Sequence, residues 1–236
     1  ETSPQAPPNA APLIRPTTGF GQSLIVDNIR ALGLDPRAIK AIFVSHAHYD
    51  HAGGVNALQR MTRAQVFTSE AGVEPLTTGR LMPDDPQYVA DSDHGRFPAI
   101  RKVTAVADGE VVTIGDVDVK AVHTPGHARS SVTWTWESCA LGTCYDVVYA
   151  DSLTAVSAPG FSYVESGAAE TMIESAGRIA DLECDILLTP HPFFFGMYDK
   201  VERIDEGNPF INSLACTLYA ESMLAWLEQR TDAEET

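Results

Sequence analysis

Three histidines and an aspartate fall within six residues in SHAHYDHAGG, residues 45–54, directly after the apolar run AIFV, in a chain with seven histidines in all. Side chains alternate along an extended segment, so His46, His48 and Asp50 can point to one side as the chain leaves a strand. His51 breaks that period. A turn of the backbone at Asp50, into a helix beginning near residues 52–54, swings His51 beside Asp50 and toward a second point in space. Imidazole and carboxylate groups so arranged are ligands for two adjacent metal ions, and the donor set suits Zn²⁺. Gly53 and Gly54 let the backbone pass close to such a site.

Four side chains are too few for two ions, so further donors must come from elsewhere in the chain. HTPGH, residues 123–127, follows the strand-like VDVKAV, and TPHP, residues 189–192, follows the apolar DILL. Both place histidine at the end of a strand, where α/β sites gather their residues. Of His123 and His127, one is a ligand and the other structural, and spacing alone does not choose between them. His94 stands in a segment rich in Pro, Asp and Gly and reads as a surface residue.

The elements that must position these groups are legible in outline. SLIVDNIRAL is an amphipathic helix stopped by Gly33, AIFV a buried strand, GVNALQRM a helix and AQVFT a strand. Residues 76–98 form a long segment without periodicity, the kind that is functional or mobile in a compact domain. EVVTI, VDVKAV, SVTWTW and DVVYA are four strands separated by turn residues, and DILLT is a further strand between helices over residues 170–182 and 211–229. Strands and helices mix without strict alternation, which predicts an α+β arrangement of sheets with helices packed outside them. The first twenty residues hold five prolines and read as an extended arm, so residues 1–20 are separated from a folded domain over residues 21–236.

The 236-residue chain can bury a core of its own. Its formal charge of -16 argues against a nucleic acid or an anionic membrane as partner, and no apolar run is long enough for a helical span. The opening residues lack the pattern of a signal peptide, which reads as a mature chain. Among four cysteines three pairings are possible. Cys139 and Cys144 flank the turn ALGT, where a small bridge fits, leaving Cys184 to pair with Cys216; four free thiols are the alternative.

His-x-His-x-Asp-His followed by Gly-Gly, then TPGH, then a late histidine resembles the metallo-β-lactamase superfamily. SHAHYDHAGG, YADSL and LLTPHP together are similar to its subclass B3, over most of the chain. The resemblance implies a four-layer αββα sandwich and two zinc ions, the first held by His46, His48 and His127, the second by Asp50, His51 and His191. His123 is then the histidine that binds no metal. It also implies a disulfide between Cys184 and Cys216, export to the periplasm, and contacts from Ser152 and Thr154 to a substrate carboxylate. The implied reaction is hydrolysis of the β-lactam amide of penicillins, cephalosporins or carbapenems, and hence antibiotic resistance. A hydroxide shared by the two ions attacks, and Asp50 orients it as well as binding metal. Tyr88, Phe97 and Phe161 are candidates for apolar contact with a bulky substrate.

The chain departs from the family pattern at its start, where the family's first strands are not found. An incomplete first sheet would present an unpaired edge, so association of two copies through that edge is expected. Two other readings follow from the same residues. Asp151 of YADSL could bridge two metals, as in thioesterases and lactonases of the superfamily, or the domain could bind zinc without turnover.

Overall fold

AIF and QVFT are short runs of β-branched, aromatic and apolar residues, and in the computed structural model, which describes residues 21–234, they form strands β1 (Ala41–Phe43) and β2 (Gln65–Thr68). With β3 (Thr104–Ala105) they make a three-stranded parallel sheet in the order β1-β2-β3. Among the described residues β1 therefore lies at one edge. The proline-rich arm expected over residues 1–20 lies outside the described residues.

The second sheet has five strands, β4 (Val111–Ile114), β5 (Val117–His123), β6 (Val132–Ala140), β7 (Thr143–Tyr149) and β8 (Ile186–Leu188), in that order. Its pairs are antiparallel except for the parallel β7–β8 pair. β6 and β7 are joined by Leu141 and Gly142, both at positive φ, the backbone twist that suits a two-residue hairpin. Cys139 then faces Cys144 across the ladder and the two are bridged; Cys184 and Cys216 form the second disulfide.

Three cores hold four layers together. Alternation along β1 sends Ile42 to one face and Ala41 and Phe43 to the other. Ile42, with Val66 of β2, packs under α1 (Gly21–Ala31), α3 (Val55–Thr62) and α4 (Glu70–Thr78), in a cluster that includes Val55, Leu58 and Leu76. Phe43 and Phe67 meet Val132 and Trp134 between the sheets, where Trp134 is fully buried and donates its indole N–H to Val44 O at 3.3 Å. The outer face of the second sheet, through Val148 and Leu187, is covered by α5 (Ala168–Ala180) and α7 (Ala215–Glu234), with Met172, Ile179, Tyr219 and Met223 inward. The arrangement is the expected αββα sandwich.

Several expectations need correcting. The helix placed near residues 52–54 begins earlier: a single turn, α2 (Tyr49–Ala52), precedes α3, so Asp50 and His51 are themselves helical. Residues 76–98 are not a free loop. They start inside α4, and Leu76, Leu81 and Phe97 are buried, with Ile100 just beyond. Phe97 is thus a core residue and offers no face to a ligand. The short helix α6 (Met197–Glu202) was not foreseen.

Because Leu76 is fully buried in this segment, Leu76→Ala is expected to cost about 2–5 kcal/mol of stability. Denaturant unfolding measures it, and a loss near zero would mean that the segment does not belong to the core.

Candidate metal centre

β5 and β7 run in the same direction on either side of antiparallel β6, and β8 is parallel to β7, so the chain leaves all three at one edge of the sheet. The first sheet is tied to the same edge by Val132 N–H, which donates to Ser45 O at 2.7 Å just past the end of β1. Residues 45–51, 124–131, 150–154 and 189–191 therefore meet there although they are far apart in sequence.

His46, His48 and His127 form a buried triangle, with ring centroids 4.5, 4.8 and 4.9 Å apart. One potential ligand atom from each lies within 4.8 Å of the others. Asp50, His51 and His191 form a second such group, and the His46 and His51 rings are 3.7 Å apart, so the two groups are contiguous. His123 is not in either. Its Nε2 faces Val106 O at 3.0 Å and its backbone N–H donates to Asp108, which also pairs with Arg178. The choice between the two histidines of HTPGH thus falls on His127. His94 is exposed and belongs to neither group.

Each buried imidazole is oriented by a partner on one nitrogen. His46 Nδ1 lies 2.8 and 3.1 Å from the two carboxylate oxygens of Asp151, which is itself wholly buried. His127 Nδ1 is 2.7 Å from Thr154 O and 3.0 Å from Thr154 Oγ1. His51 Nδ1 is 3.1 Å from Ser45 Oγ. His48 differs: its Nε2 is held by Asp85, 3.0 Å from each oxygen, and the Gln87 amide nitrogen lies 3.3 Å from its Nδ1. An acceptor fixes the proton on the nitrogen it touches and leaves the lone pair on the other, the arrangement in which imidazole binds a metal. His46 Nε2 is buried and has no hydrogen-bond partner among the described residues, an omission costly in a dry core and relieved by a cation at that lone pair.

Charge at the cluster follows from burial. Desolvation, and then the neighbouring imidazoles, hold His46 well below the ordinary histidine value, and burial followed by the nearby His48 lowers His127 to about 3. Burial and His51 also lower His191. Burial pushes Asp50 upward, but the hydrogen bond from His51 and the fields of His51, His46 and His191 outweigh it and keep the carboxylate ionised. Imidazoles around one carboxylate form a donor set that fits Zn²⁺.

Asp151 owes its position to two further residues. Its N–H donates to Thr133 Oγ1 at 3.1 Å, and Tyr219, reaching from α7, donates its hydroxyl to Asp151 O at 2.9 Å while accepting from Leu153 N–H at 3.2 Å. Ser152, between Asp151 and Leu153, is buried with no hydrogen-bond partner for its Oγ among the described residues, and the Thr154 hydroxyl is engaged with His127. Asp85, Gln87 and Tyr219 were not identified from the sequence. Asp85 and Gln87 lie in the stretch read as aperiodic, and only DDPQ, a turn signature, marks it.

Comparison with known proteins agrees with this geometry. Residues 8–191 match the family model described as metallo-beta-lactamase superfamily. The metallo-beta-lactamase SMB-1, in a complex with mercaptoacetic acid, superposes with a TM-score of 0.88 at 40% identity, covering 93% of this chain and 85% of that one. MEM-A1, a subclass B3 metallo-beta-lactamase isolated from a soil metagenome library, gives 0.88 at 35% identity, covering 93% and 84%. Among curated relatives, acyl-coenzyme A thioesterase MBLAC2 of Gallus gallus is 28% identical over 151 residues, 57% of this chain and 53% of that protein. The chain thus spans about half the length of that relative.

A histidine with a lowered pKa favours the folded state above its unfolded value of 6.5 and loses that contribution as pH falls toward the folded value, here about 3 for His127. The melting temperature of chelator-treated protein is therefore expected to fall between these limits, and a flat profile from pH 6.5 to pH 3 would contradict the buried, neutral cluster. Asp151→Asn, which removes the charge on His46 Nδ1, is expected to weaken zinc binding about 10–100-fold in competition with a chelator.

Proposed function

Because the chain belongs to the metallo-β-lactamase superfamily, we propose that it is a zinc hydrolase that opens the β-lactam ring, with His46, His48 and His127 holding one ion and Asp50, His51 and His191 a second. The observation that carries this reading is the pair of contiguous three-residue groups, five imidazoles and one carboxylate, at one sheet edge. Likeness to two metallo-beta-lactamase structures at 40% and 35% identity, the second of subclass B3, supports the choice of substrate. The two disulfides suit an oxidising compartment, periplasmic or extracellular. No described helix is long and apolar enough to cross a membrane.

Bound zinc supplies Lewis acidity toward a carbonyl oxygen and makes water acidic enough to attack near neutral pH. The protein's own groups do the rest. Asp50, the only anion of the six, is 42% exposed at its side chain, so it can orient an attacking water and accept its proton as well as bind. His46 and His127 are held rigidly by Asp151 and Thr154 and need not reorganise during reaction. Ser152, whose hydroxyl has no hydrogen-bond partner among the described residues, would hold the substrate carboxylate beside Thr154.

A thioesterase reading is favoured by the match to MBLAC2. Asp151 bears on both readings: its carboxylate lies 2.8 and 3.1 Å from His46 Nδ1, and one of its oxygens also lies within 4.8 Å of a potential ligand atom from each of His46 and His51.

Initial rates of ring opening of a penicillin, a cephalosporin and a carbapenem, with zinc and after chelation, test the proposal against hydrolysis of an acyl-CoA thioester. Zinc-dependent β-lactam turnover is expected, and Asp50→Asn should lower kcat by about 10²–10⁴. Efficient thioester hydrolysis without β-lactam turnover would overturn it, and tight zinc with neither activity would indicate a binding domain.

A further inference from the structure

The two halves of the metal centre differ in access. His46, His48 and His127 are buried, whereas Asp50 and His191 have side-chain exposures of 42% and 30%, so a substrate must arrive over the second group. At that opening the chain runs directly from His191 into three phenylalanines in a 3-10 turn, Pro192–Phe195. They divide by role. Phe195 is buried in the core. Phe194 is edge-on to His191 at 5.9 Å and is backed by Trp226, also at 5.9 Å. Phe193 is 64% exposed, with its ring 5.6 Å from His191 and inclined at 32°, and 4.3 Å from Phe194.

Phe193 is thus an apolar ring kept in water while one neighbour anchors it and another braces it, one ring's width from an imidazole of the centre. A fixed aromatic face beside the entrance gains free energy only when an apolar group covers it, and aromatic pairs favour such offset or edge contacts. We propose that Phe193, braced by Phe194 and Trp226, is a specificity-determining contact that selects substrates carrying an aryl or similar apolar ring on the part lying over Asp50, His51 and His191. This rests on the metal-centre reading above and adds to it the substrate class. Of the apolar candidates seen in the sequence, Phe97 is in the core and does not fill this role, whereas Phe161, packed partly against the core that includes α7, and Tyr88 are half-buried.

Two thiol carboxylates that differ only in a phenyl group, 2-mercaptopropionate and 2-mercapto-3-phenylpropionate, test the proposal by calorimetric binding to the zinc-loaded protein, without reference to turnover. The phenyl compound is expected to bind about fivefold to tenfold more tightly. Phe193→Ala should erase that difference while leaving the affinity for 2-mercaptopropionate unchanged, and Phe193→Leu should retain part of it. Zinc content and circular dichroism establish that both variants fold. Equal binding of the two thiols by the unaltered protein, or an equal loss of both in Phe193→Ala, would overturn the assignment of Phe193 while leaving the metal centre in place. Failure of both thiols to bind the zinc-loaded protein would overturn the metal-centre reading with it.

Discussion

Everything at the reactive edge depends on keeping several imidazoles uncharged and in contact. The His46 ring lies 3.7, 4.5 and 4.8 Å from those of His51, His48 and His127, and protonating it would place a cation in a dry pocket beside potential cations. Burial presses His46 and His127 toward neutrality. It creates a second demand, because a neutral ring must be told which nitrogen carries its proton. Asp151, Thr154, Ser45 and Asp85 each answer for one ring, and those partners come from three different segments. The cluster is thus a set of lone pairs whose directions are set from outside it.

That demand explains why so much of the fold is spent at one edge. The sandwich brings the C-terminal ends of β1, β5, β7 and β8 together, and Trp134 ties the two sheets immediately behind the histidines by bonding to Val44. On the far side, α7 contributes through Tyr219, which clasps the backbone of Asp151 and Leu153. A helix about 70 residues further along the chain is in this way linked through two hydrogen bonds to the tautomer of His46. Packing in the outer helical layer and protonation at the centre are parts of one mechanical chain.

The candidate ligands were more legible than the scaffold that orients them. His46, His48, Asp50 and His51 announce themselves by crowding, and His127 and His191 by following apolar runs. The α4 helix was hidden because EAGVEPLTT contains Gly72 and Pro75, which weaken any helical signal; tertiary contact overrides propensity there, since Leu76 is buried and a Cβ at Gly72 would collide with Thr68 Oγ1. Asp85 and Gln87 carry no periodic signature, and their partnership with His48 exists only once residues 79–103 are folded back over the site. Asp151 was visible, but its role was not: spacing cannot distinguish a carboxylate that touches a metal from one that touches a histidine.

The disulfide between Cys184 and Cys216 has a kinetic meaning for the open half of the centre. It closes a loop of 32 residues that carries both His191 and the phenylalanine turn. The part of it beyond the phenylalanine turn, where α6 is exposed, is the kind that opens locally before the core does. A covalent closure limits how far it can travel, so His191 stays at high effective concentration near Asp50 and His51 even while its own turn frays, because the loop-closure entropy has already been spent. The buried triangle is thereby kept by packing and the second group by tethering, so the two halves of one centre are free to lose and regain order on separate clocks.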